Sequence, residues 1–90
     1  MAKANVDPAE LRRFSNELKR FNTDLEGLLA GLHGRLRGLE ASWRDQEQRK
    51  FTEAFETTIK AIGTFLGTSH EHVVHLNKKA SAVEEYLRQR

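Results

Sequence analysis

From Leu11 onward the apolar residues Leu11, Phe14, Leu18, Phe21, Leu25, Leu28, Leu32, Leu36 and Leu39 recur in alternating steps of three and four, with one double-four step that avoids Arg35. That spacing keeps one face of an α-helix apolar for about eight turns, and no strand can use it, because alternate strand residues point to opposite faces. A second stripe, Phe51, Phe55, Thr58, Ile62, Phe65, Ser69, Val73, Leu76, Ala80, Val83 and Leu87, follows the same rule almost to the end of the chain. The spacing therefore predicts two long helices and nothing else.

The ends of the stripes carry start signals. Asp7-Pro8-Ala9-Glu10 offers an N-cap, a proline at the first helical position and an acid two residues further on, which together satisfy the unpaired first-turn N–H groups and suit the helix dipole. Asp45 and Gln48 repeat the cap pattern before the second stripe. The sequence thus divides into an N-terminal tail at 1–7, a first helix at 8–41, a turn at 42–45 and a second helix at 46–89. At ~1.5 Å per residue the helices are roughly 50 and 65 Å long, and a short turn between two such rods forces an antiparallel hairpin. Its expected core is Leu18, Leu25, Leu32 and Leu39 against Phe51, Phe55, Ile62 and Leu76, with Leu29, Ile59, Leu66 and Val74 at or beyond the edges. Charged pairs at helical spacing, Glu40–Arg44, Asp45–Arg49, Glu56–Lys60 and Glu84–Arg88, fall off the stripes and support a solvated helix surface.

A hairpin has one seam and no third element to cover its flanks. With 90 residues, no cysteine and no thiolate metal site, such a chain is marginal alone, and pairing with a second hairpin into a four-helix bundle is the simplest remedy. Four glycines, Gly27, Gly31, Gly34 and Gly38, lie in one row on the first helix away from the leucine stripe. Each costs about 1 kcal/mol of helix stability relative to alanine, so close approach of a second backbone is one way to offset them and tolerance by tertiary packing is the other. The fold class is all-α, a single helical-hairpin domain that pairs with another hairpin.

Composition excludes several functions. No apolar run approaches the roughly 20 residues needed to span a bilayer, and the N-terminal residues lack the apolar segment of a cleavable signal peptide. Fifteen basic against thirteen acidic residues give a net charge of +2, and Arg12, Arg13, Lys19 and Arg20 are interleaved with Glu10, Glu17 and Asp24. This predicts no nucleic-acid site and only weak support for contact with acidic lipid heads. The serines Ser15, Ser42, Ser69 and Ser81 have no nucleophile elbow around them, and there is no glycine-rich phosphate loop. We expect no enzyme and no cofactor. His70, His72 and His75 cluster near Glu71, but without a third helical ligand in register the expectation is a solvated, titratable face rather than a metal site.

At the bend, Leu39-x-x-Ser42-Trp43-x-Asp45 is followed by Phe51 and Phe55. The tryptophan plugs the end of the hairpin in the simplest reading. This motif, in an all-helical chain of about 90 residues, resembles the Trp-X-Gly (WXG) family of type VII (ESX) secretion proteins. The resemblance implies a hairpin whose turn is Ser42, Trp43 and Asp45, dimerising with itself or a related hairpin as an antiparallel four-helix bundle. It also implies export in folded form by a membrane-bound secretion ATPase, without a signal peptide and with a cytoplasmic pool. Two positions depart from the pattern: Asp45 stands where the family has glycine, and Arg90 stands where the Tyr-x-x-x-Asp/Glu export signal, begun here at Tyr86, would place its acid. The alternative expectation is a cytoplasmic structural or chaperone-like helical module unconnected with export; a lipid- or polyanion-binding hairpin ranks below it.

Overall fold

A computed structural model describes residues 6–89. It contains α1, Pro8–Glu40, and α2, Gln46–Gln89, and no strand among the described residues. The expectations for residues 1–5 of the tail and for Arg90 fall outside the described residues. The two helices lie side by side as an antiparallel hairpin measuring 68 × 17 × 13 Å, so α2 alone spans nearly the full length.

The cap chemistry shows why the helices start where they do. Asp7 Oδ1 accepts the N–H of Ala9 at 2.9 Å, and Asp45 Oδ1 accepts the N–H of Gln48 at 2.9 Å. The first helix ends at Glu40, with Ala41 as its C-cap donating to the Gly38 carbonyl at 3.2 Å. Trp43 N–H closes the bend on the Leu39 carbonyl at 2.9 Å. Among the described residues none has a positive φ, so the chain reverses without a left-handed residue and glycine has no conformational advantage at position 45. Asp45 contributes a cap there instead.

The seam is shifted sideways from the expected core. Its buried apolar residues are Leu36 on α1 and Leu66, Val73, Ala80 and Val83 on α2, joined by buried Ser15, Asn22, Gln48 and Ser69. Leu18, Leu25, Phe55, Ile62 and Leu76 are half-buried along it, whereas Leu32 and Leu39 are 44% exposed and Phe51 is 42% exposed. Leu29 and Ile59 are half-buried, and Leu66, expected at the edge, is only 6% exposed. The reason is the width of the stripe. Residues stepping by seven from Ser15 through Asn22, Leu29 and Leu36 form one column, Leu11, Leu18 and Leu25 a second, and Phe14, Phe21 and Leu28 a third. One partner helix covers about two columns. Helix α2 takes the first column and the second as far as Leu25, and leaves Leu32 and Leu39, which continue the second, and the whole of the third largely in solvent.

The open apolar face and the turn as a candidate interaction site

Along the uncovered side, Phe14 (55% exposed), Phe21, Leu28 (72%) and Leu32 on α1 continue into Phe51, Phe65 and Tyr86 on α2. Phe21 and Phe65 meet edge to face across the two helices, with centroids 6.4 Å apart and planes at 88°, which places both helices' outward aromatic rings on one surface. Beside them runs a groove of about 360 Å³ lined by Phe14, Leu18, Phe65 and Leu76 with Ser69, His72 and His75. A contiguous exposed apolar surface of this kind marks a binding face.

On the other flank the same seam is closed by charge. Arg12 Nε and Nη2 donate to the two carboxylate oxygens of Glu84 at 3.0 and 2.9 Å, His33 Nε2 lies 2.8 Å from Glu56 Oε1, and His70 Nε2 lies 3.4 Å from Glu26 Oε2. Hydrogen bonding from Arg12 holds the Glu84 carboxyl below the usual carboxylate range against the opposing desolvation, and the same bond holds the Arg12 guanidinium above its ordinary value. These pairings replace those expected from helical spacing: Glu84 pairs across the seam rather than with Arg88, Arg88 pairs with Glu85, and Glu56 pairs with His33. Helical spacing finds neighbours on one helix, whereas a partner on the facing helix is closer still.

The histidine cluster is divided by the same geometry. His70 turns to the charged flank, and His72 and His75 border the apolar groove. Among the described residues there is no group of three or more metal-capable side chains.

At the turn, half-buried Trp43 lies on Phe51 with centroids 5.9 Å apart, and Phe51 stacks on Phe55 at 5.5 Å. Ser42 Oγ donates to the Leu39 carbonyl at 3.3 Å. Gln48, a cap-region residue, is buried with its amide reaching Thr52 at 2.6 Å and Glu40 at 3.3 Å. The motif is therefore a closed aromatic and polar plug that fixes the turn, with part of the tryptophan ring on the surface. At the opposite end Tyr86 is 43% exposed.

The glycine row is exposed, and a Cβ added at Gly27, Gly31, Gly34 or Gly38 would meet nothing within 4 Å. The row gives α2 no close approach. By helical geometry Gly27 and Gly34 point directly away from the seam, and Gly31 and Gly38 border the open apolar face. Reading the apolar stripe alone passes over Ser15 and Asn22, both fully buried; their seven-residue spacing ahead of Leu29 and Leu36 was the available signal.

The described residues form a long helical hairpin with a Trp-centred turn and one open apolar flank. The chain matches, over residues 3–86, the family described as "Proteins of 100 residues with WXG" (WXG100), and it belongs to that family. This is a family of small helical secreted proteins associated with type VII secretion, whose members typically pair as dimers. No curated protein and no solved structure matches the chain.

Proposed function

We propose that this chain is a non-enzymatic half of a helical dimer, exported by or serving as adaptor for a type VII secretion system. The observation that carries the reading is the apolar column Phe14, Phe21, Leu28 with Phe65, which the hairpin's own second helix leaves in solvent. A second hairpin, a copy of this chain or a related one, covers it and completes a four-helix bundle. The Trp43 turn and the end of α2 around Tyr86 then form the two extremities that a secretion ATPase meets. Gly31 and Gly38, beside the open face, let the second hairpin's backbone approach.

The test is expression in a host that carries a type VII secretion ATPase and in the same host without it. Appearance in the culture medium, without release of a cytoplasmic marker and only when the ATPase is present, supports export. Retention of the wild-type chain in both hosts favours the cytoplasmic helical module, a reading that draws on Arg90 in place of the export-signal acid.

A further inference from the structure

The buried polar side chains of the seam are unevenly distributed, three of the four lying toward the free ends. Toward the turn, Leu25, Leu29 and Leu36 on α1 and Phe55, Ile59, Ile62 and Leu66 on α2 are buried or half-buried beside buried Gln48, and the Trp43–Phe51–Phe55 stack closes the end. Toward the free ends, Val73, Ala80 and Val83 are buried together with three polar side chains, Ser15 and Asn22 at 0% exposure and Ser69 at 2%.

The boundary between the halves is a polar layer. Ser69 Oγ donates to Asn22 Oδ1 at 2.7 Å, but the Asn22 Nδ2 is buried with no hydrogen-bond partner. Two turns further out along α1, Ser15 Oγ reaches the Val73 carbonyl only at 3.5 Å. A dehydrated amide without a partner favours any state in which water returns to it. Opening the free half gives that amide back to water, whereas the buried polar side chain of the turn half, Gln48, already has partners in Thr52 and Glu40. Against this stands one clasp near the ends: Arg12 grips both oxygens of Glu84, and its Nη2 also donates to Ser81 Oγ at 2.9 Å. It is the single cross-helix pair of two fixed charges among the described residues, the others depending on histidine.

We infer that the free half of the hairpin, α1 up to Asn22 and α2 from Ser69 onward, opens as one cooperative unit, that the Asn22–Ser69 layer is its boundary and that Arg12–Glu84 is its latch. Opening leaves the turn half folded and frees nearly half of α2, from Ser69 onward, as an amphipathic helix. The device belongs to the single hairpin and does not rest on export.

Hydrogen exchange of the full-length chain, followed by mass spectrometry, tests it. Peptides covering 11–22 and 69–87 should exchange at least about 10-fold faster than those covering 25–36 and 55–66, and at matched rates on the two helices. Arg12→Ala should accelerate both free-half segments several-fold, including 18–22 and 69–76, and leave the turn half within about twofold. Asn22→Leu, which removes the unpaired amide, should slow both segments together. Simple end fraying produces a gradient confined to the terminal turns and no response to Arg12→Ala at 69–76; that result overturns the inference. So does an Arg12→Ala effect of equal size in both halves, which reports global unfolding only.

Discussion

Leu28→Ala separates the hairpin's own stability from what covers its open face. Leu28 is 72% exposed in the hairpin, so the substitution removes almost nothing from the α1–α2 seam, and alanine is the better helix former. The change deletes three carbons, worth about 0.8 kcal/mol each on full burial, or about 2.4 kcal/mol in all. With most of that still in solvent, about 1.5 kcal/mol per chain is available to a second copy. A symmetric dimer loses it twice, about 3 kcal/mol, which is on the order of 100-fold in the dissociation constant. Sedimentation equilibrium of the purified chain over a concentration series measures the constant directly, and thermal unfolding below the dissociation constant reports the hairpin alone. Leu66→Ala is the counterpart: Leu66 is 6% exposed within the seam, and the substitution should cost about 2–4 kcal/mol of hairpin stability. A Leu28→Ala dissociation constant within about threefold of wild type would refute the open face as the dimer surface. A wild-type chain that stays monomeric throughout the series would refute self-pairing.

Asp45→Ala removes the acceptor for the Gln48 N–H at 2.9 Å and should lower stability by about 0.5–2 kcal/mol in denaturant melts; no change would mean that the cap adds nothing to the turn. Gly34→Ala places a Cβ in open space and should stabilise the chain by about 0.4–1 kcal/mol. Gly31→Leu, at the border of the open face, should instead lower the dimer mass in size exclusion with light scattering, and an unchanged dimer would remove that glycine from the interface. Because Glu84 titrates below the ordinary carboxylate range in the folded chain, its contribution is present at neutral pH and is lost as pH falls below that range. Glu84→Gln should flatten this part of the acid dependence of the melting temperature, and an acid profile identical to wild type would contradict the latch geometry. Arg12, shifted upward by the same bond, contributes at every pH below the ordinary guanidinium range and loses its share only above it.

Much of this architecture follows from local rules. The alternation of three and four, the Asp7 and Asp45 caps and the tryptophan between two capped stripes are each readable because helix periodicity and capping depend on residues within a turn of one another. The same locality explains which readings moved. Glu84–Arg88 and Glu56–Lys60 are correct neighbours on a helix, yet Glu84 and Glu56 found partners on the facing helix at 2.9 and 2.8 Å. The histidines at 70, 72 and 75 are close in sequence, but helical rotation sends His70 to the charged flank and the other two to the apolar groove.

By itself, the sequence determined that there are two long helices, that they reverse at Trp43-Arg44-Asp45 and that apolar surface exceeds what one seam can hide. The tertiary structure decided which part of that surface is hidden. A stripe three columns wide gives a facing helix two ways to dock, and periodicity does not choose between them. The pairing that buries Ser15, Asn22 and Ser69 and joins Arg12 to Glu84 leaves Phe14, Phe21 and Leu28 outside. Packing and charge between residues some 50 to 70 positions apart in the chain make that choice, at separations where no local rule acts.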